Sequence, residues 1–252
     1  MSIKSSVDQT ELRKFSNIAG SWWQKDGEFK MLHQINPLRL SYITNKIKDH
    51  FTINDNISLL SNLEILDVGC GGGLISCELS RLEANVTGID AIQTNIDIAT
   101  LHAQKENLQI NYLKSTIEEL VASTSKQYDV ILCLEVMEHI DNPSYFAENL
   151  ANLLKPNGMI IISTINRTVK AYILAILMAE YLLGWVPRKT HNHSKFLKPS
   201  DLHAIFSKNN LILTELKGLT YNLANRIWQL TEDIEVNYFA YLIKGNNKII
   251  CS

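Results

Sequence analysis

What this chain has little of narrows the field first. It holds only four cysteines, Cys70, Cys77, Cys133 and Cys251, and none stand at C-x-x-C spacing. Neither a disulfide framework nor a zinc site is therefore expected, and the cysteines read as reduced, buried residues. Charge of one sign is also scarce. A net charge of -2 leaves no broad basic field, which argues against nucleic acid as a partner. The opening residues Met1 to Ser6 carry no apolar core of a signal peptide, so the expected setting is cytoplasmic. No internal repeat and no low-complexity tract is visible. The apolar-rich run Ala171 to Val186 has sixteen residues, including Glu180, and falls short of the ~20 that cross a bilayer.

What is present is alternation. The first 60 residues are polar-periodic and aromatic, with two expected helices, Glu11 to Trp23 and Pro37 to His50, forming an amino-terminal cap. From there to residue 252 the chain reads as one further domain. Short apolar strands are expected at Glu64–Val68, Asn85–Ile89, Ile110–Lys114, Tyr128–Leu134 and Met159–Ile165. Helical windows lie between them at Leu74–Leu82, Ile92–Asn107, Ile117–Ser123 and Tyr145–Leu154. Lys155-Pro156-Asn157-Gly158 is a strong turn signal. The pattern implies an α/β fold with a doubly wound, mostly parallel sheet and right-handed crossovers. An insertion spanning about 168–198 follows the fifth strand. Beyond it, a helix at Pro199–Asn209 and strands at Leu211–Lys217 and Val236–Lys244 close the domain.

The most informative stretch is Asp67-Val68-Gly69-Cys70-Gly71-Gly72-Gly73, with Asp90 standing 21 residues after Gly69. Strand, glycine turn, helix, strand and acid together make the start of a nucleotide-cofactor-binding unit. Gly69 and Gly71 would let the backbone bend tightly and approach a ligand. Asp90 can accept hydrogen bonds from both ribose hydroxyls. Asp67 could orient the loop or meet a ligand ammonium through water. The acid before the glycines and the lack of G-x-G-x-x-G spacing point to S-adenosylmethionine rather than a dinucleotide. Thr116 and Ile117, after the third strand, are placed to flank an adenine. Leu134 ends the fourth strand, where it either packs on the cofactor or belongs to the core.

Several segments together resemble the ubiquinone-biosynthesis O-methyltransferases. In the amino-terminal part they are Phe15, Trp22-Trp23, Gly27-Glu28-Phe29-Lys30, Leu32-His33 and Ile35-Asn36-Pro37-Leu38-Arg39-Leu40. Leu66 to Gly73, Val86 to Asp90, Leu134-Glu135-Val136-Met137-Glu138-His139 and Ser163 to Thr168 extend the likeness. It continues through Ala179-Glu180-Tyr181, Val186-Pro187, Thr190-His191, Lys195-Phe196 and Val236-Asn237-Tyr238. The resemblance implies a class I S-adenosylmethionine-dependent methyltransferase with a Rossmann-like fold. Arg39, Gly69, Asp90 and Leu134 would contact the cofactor, the Arg39 guanidinium binding the cofactor's carboxylate. The implied substrates are polyprenyl catechols or hydroquinones, methylated on a phenolic oxygen. The sequence departs from the family at Leu134, where methionine is common, and at Gln24, Arg188-Lys189 and Leu223.

A phenol has a reference pKa of about 10, so deprotonation near neutrality needs a base or a metal. Glu135, Glu138 and His139 lie where the fourth strand ends. They could hold Mg²⁺ against vicinal oxygens. Alternatively His139 could act alone as general base, or the two acids could simply cap the next helix. His191 and His193 could serve as further ligands or face solvent. Arg167, Lys170, Arg188 and Lys189 flank the run 171–186, and Tyr172, Tyr181 and Trp185 suit an interface. A peripheral membrane segment meeting a prenylated substrate is therefore expected, with a biosynthetic assembly as a plausible partner. A Rossmann-type NAD oxidoreductase and an inactive scaffold of the same fold are the competing readings.

Overall fold

The computed structural model describes residues 19–53, 60–171, 196–222 and 227–245. An eight-stranded sheet runs in the order β3-β2-β1-β4-β5-β8-β6-β7. The first five strands are β1 (Glu64–Val68), β2 (Asn85–Asp90), β3 (Asn111–Lys114), β4 (Tyr128–Leu134) and β5 (Leu154–Ile165). They are mutually parallel. β6 (Leu211–Asn222), β7 (Ile227–Thr231) and β8 (Asn237–Lys244) complete the sheet through antiparallel pairings, β8 lying between β5 and β6. The helices are α1 (Lys30–Phe51), α2 (Leu74–Arg81), α3 (Gln93–Lys105), α4 (Ile117–Ser123), α5 (Pro143–Leu153) and α6 (Pro199–Ser207).

The central strands are apolar throughout because both of their faces are covered. Alternate residues serve opposite sides. Ile131, Cys133, Ile160 and Ile162 join a core with Leu120, Phe146, Leu150 and Phe206 from α4, α5 and α6. Val130, Leu132, Met159 and Ile161 join a second core with Ile43, Ile47, Ile75 and Leu79 from α1 and α2. Sheet order reverses at β1, with β2 on one side and β4 on the other. The carboxyl ends of β1, β2 and β4 therefore border a crevice of the kind that holds ligands in such sheets. Cys70, Cys77 and Cys133 are free and buried, as expected.

Four expectations needed adjustment. α1 starts about two turns before Pro37, which sits inside the helix. An interior proline removes a backbone donor and costs about 3 kcal/mol. Burial of Ile35, Tyr42, Ile43 and Ile47 against the sheet offsets that cost. The turn signal at 155–158 is not a break before β5. It is a register shift opposite Tyr128 and Val130, with Asn157 at φ 59°. β6 runs on to Asn222, beyond the expected Lys217. β7 was not foreseen, since a half-exposed edge strand shows little apolar alternation. Residues 11–18 of the expected first helix lie outside the described residues, as do His191, His193, Leu223 and the apolar run from Tyr172 onward. Residues Ala19–Ser21 form a short 3₁₀ turn. Among the described residues no helix is long and apolar enough to cross a membrane.

Candidate active site

The turn after β1 needs glycine on two separate grounds. Gly69 and Gly71 adopt φ of 69° and 54°, values that L side chains rarely take. Space excludes a side chain as well. A Cβ on Gly69 would fall 2.5 Å from Val136 Cγ2, and one on Gly71 would fall 2.4 Å from the Trp22 ring. The turn is tied to β2, because Gly69 N and Cys70 N both donate to the Ile89 carbonyl. Asp90 then gathers two further donors. Gly71 N reaches its Oδ2 at 3.0 Å and Ile92 N its Oδ1 at 2.8 Å. Burial raises the Asp90 pKa, and these backbone bonds pull it back. Each oxygen keeps lone-pair capacity for a ligand hydroxyl.

Asp67 is buried beneath the turn and accepts a hydrogen bond of 2.5 Å from Ser76 Oγ. Burial, only partly countered by that bond, pushes its pKa up to about 6. An acid whose folded pKa exceeds its unfolded value stabilises the fold fully below the unfolded value. That contribution is lost as the pH rises through about 6. For Asp67 the loss corresponds to about 3 kcal/mol in the ligand-free protein. Asp67→Asn keeps an acceptor for Ser76 and is expected to raise Tm more at pH 7.5 than at pH 5. Equal gains at both pH values in thermal melts would refute this account.

Arg39 comes from α1 to the end of β4. Its Nη2 donates to Glu135 Oε1 at 2.8 Å, and Ser163 Oγ donates to the same oxygen at 2.8 Å. Arg39 is only 5% exposed, and its Nε has no hydrogen-bond partner. A buried guanidinium with an unused donor beside a cavity is suited to an anionic ligand. Glu135 itself lies at φ 55°. That uncommon conformation aims its carboxylate back toward Arg39. Glu138 turns elsewhere, accepting from Thr164 Oγ1 at 2.8 Å. Burial, followed by the Glu135 charge, raises its pKa, while His139 lowers it. His139 ends the 3₁₀ turn Met137–His139, which buried Met137 anchors. Among the described residues no three His, Cys, Asp or Glu side chains form a group able to hold a metal.

These residues border one cavity of about 390 Å³, within the range of small-molecule sites. Arg39, Asp67, Gly69, Gly71, Asp90, Thr116, Ile117, Leu134, Glu135 and His139 all line it. Glu138 does not. A larger open groove of about 620 Å³, bordered by Glu64, Asn85 and Lys126, lies at the amino ends of the strands. It contains none of the candidate residues. The wall also includes Trp22, Phe29, Asn95 and Val136, which were not singled out as site residues. The glycine run itself was the available signal for Trp22 and Val136: side chains missing from a buried turn must be replaced by others.

A family profile described as a methyltransferase domain matches residues 41–216. The ubiquinone biosynthesis O-methyltransferase of Rickettsia bellii is 57% identical over 242 residues, covering 96% of this chain and 98% of its own. That of Rickettsia typhi is 54% identical over 245 residues, covering 97% and 96%. The chain belongs to the ubiquinone biosynthesis O-methyltransferase family. Among solved structures, magnesium protoporphyrin IX methyltransferase from Synechocystis PCC 6803 with bound S-adenosylhomocysteine superposes with a TM-score of 0.64. It is 19% identical and covers 94% of this chain and 100% of its own, so it speaks to the fold alone. Neither the family nor the fold neighbours favour the NAD oxidoreductase alternative.

Proposed function

We propose that the protein transfers a methyl group from S-adenosylmethionine to a phenolic oxygen of polyprenyl catechol or hydroquinone intermediates of ubiquinone synthesis. The substrates meant are 2-polyprenyl-6-hydroxyphenol and 3-demethylubiquinol. The supporting observation is the single cavity where Arg39, Asp67, the glycine turn and Asp90 meet Glu135 and His139. The residues present fit the cofactor, since a buried cation, a glycine cradle and a ribose acceptor all border the one cavity. When bound, S-adenosylmethionine supplies an already activated methyl group. Arg39 would hold its carboxylate, Asp67 its ammonium through water, and Asp90 the ribose hydroxyls. Gly69 and Gly71 give the close backbone approach, Leu134 packs on the cofactor, and Thr116 and Ile117 flank the adenine.

The remaining task is to make the acceptor oxygen nucleophilic and hold it in line. We assign the proton to a ring nitrogen of His139, the imidazole that lines the cavity. A resident Mg²⁺ on Glu135, Glu138 and His139 does not fit the side chains as arranged. Among the described residues no three such side chains form a group that could hold a metal, and Glu135 is engaged through Oε1 by Arg39 and Ser163, Glu138 through Oε2 by Thr164.

The amino-terminal 60 residues act in this reading as a cap on the catalytic domain. The run 171–186 is read as a segment that meets the membrane surface. Its basic flank is reduced, since Arg167 pairs with Asp201 and Lys170 with Asp233 and Glu235. Arg188 and Lys189 would then carry the attraction to anionic lipid. The test is methyl transfer from labelled S-adenosylmethionine to a short-chain prenylated catechol, with and without chelator. Turnover indifferent to chelator is expected. Turnover abolished by chelator would restore the metal to Glu135, Glu138 and His139, and absence of turnover would defeat the assignment of substrate. Flotation of the same preparation with anionic liposomes tests the membrane reading, which fails if the protein stays unbound.

A further inference from the structure

Residues 19–29 cross the mouth of the glycine turn as a strap. The Trp22 indole lies flush on the Gly71-Gly72 backbone, where no other side chain would fit. Phe29 stacks on it with ring centroids 3.7 Å apart and planes 6° apart. Trp22 Nε1 donates to Asn95 Oδ1 at 2.9 Å, across 73 residues of chain. Asn95 is 3% exposed and stands beside Asp90, whose pKa its amide helps to lower. Trp23 pins the strap a second time. Its Nε1 donates to the Gly72 carbonyl at 2.9 Å, and its ring stacks on His102 at 3.3 Å. Trp22, Phe29, Asn95 and Asp90 all line the cavity.

A buried indole N–H needs an acceptor, and the one Trp22 finds stands beside Asp90 in the wall of the cavity. Asn95 holds the indole through its oxygen and lines the same cavity as the Asp90 carboxyl, so it sets the indole beside that acid. Arg39 lies on a different wall, at the end of β4. The cavity thus has a carboxylate-binding end at Arg39 and a nucleoside-binding end at Asp90, Asn95 and Trp22. We propose that Trp22 is a cofactor-binding residue for the nucleoside half, and that Asn95 is the positioning residue linking it to Asp90. This rests on the cofactor reading above and adds two residues to it.

The experiment separates the two halves of the ligand. Calorimetry would measure S-adenosylhomocysteine and 5′-methylthioadenosine, which keeps the nucleoside but has no amino-acid carboxylate. Trp22→Ala and Asn95→Leu are expected to weaken both ligands by the same factor, roughly tenfold. Trp22→Phe keeps a ring on the glycine turn but loses the N–H, and is expected to fall between wild type and Trp22→Ala. It also stands in should Trp22→Ala fail to fold. A loss confined to S-adenosylhomocysteine would overturn the proposal, as would a lowered melting temperature with both affinities unchanged. Wild-type protein that bound neither ligand would defeat the cofactor reading itself, whereas wild-type binding with unaltered variants would defeat only this inference.

Discussion

Replacement of His139 by glutamine is expected to lower kcat by about 10²–10⁴-fold, the usual contribution of a positioned general base. The argument begins with the acceptor. A phenol with a pKa of about 10 is almost wholly protonated at pH 7, so a proton acceptor must stand beside it. His139 lines the cavity and is held by a 3₁₀ turn whose Met137 is fully buried, so its backbone is fixed before substrate arrives. Loss of the imidazole leaves hydroxide or water to remove the proton. Variant activity should therefore climb with pH through the range where the wild type is flat. Affinity for S-adenosylhomocysteine should stay within about twofold, because the cofactor end of the cavity is untouched. A variant with unaltered kcat, or with the wild-type pH profile, would remove His139 from the chemistry.

The second large effect is expected at Arg39. Arg39→Ala should weaken S-adenosylhomocysteine by roughly ten- to a hundredfold, since a hydrogen bond to a charged group contributes about 1.5–3 kcal/mol. Binding of 5′-methylthioadenosine should barely change, because that ligand offers Arg39 no carboxylate. Lysine should not restore the loss. A point charge on a flexible stem does not reproduce a planar fork that already spends one nitrogen on Glu135. The cost in stability should be small by comparison, since the Glu135 side chain is 32% exposed and can be solvated when its partner goes. Equal weakening of both ligands in calorimetry would mean that Arg39 supports the cavity as a whole and does not read the carboxylate.

The Glu135–His139 segment shows where local spacing misleads. Two acids and a histidine within five residues look convergent on paper. The left-handed backbone at Glu135 and the 3₁₀ turn that follows give the two acids different hydrogen-bond partners. One acid goes to Arg39 and Ser163, the other to Thr164, and His139 lines the cavity. Proximity in sequence bounds the distance between two backbones. It does not set where the side chains end.

Much of the fold was legible because its signals are local. Short apolar runs, separated by helical windows, placed β1 and β4 at their observed bounds. Glycines that must bend backward and an acid at the end of the next strand marked the cofactor wall without any knowledge of packing. Sequence alone thus determined the five parallel strands, the glycine turn and the position of Asp90. The tertiary structure decided what lies opposite. Arg39 meets Glu135 across 96 residues, and Trp22 meets Asn95 across 73. It also carried α1 through Pro37 and added the edge strand β7. The physical reason is common to all of these. Backbone preference and patterning act over a few neighbouring residues, whereas the partner of a buried side chain is chosen by whichever distant surface folding brings against it.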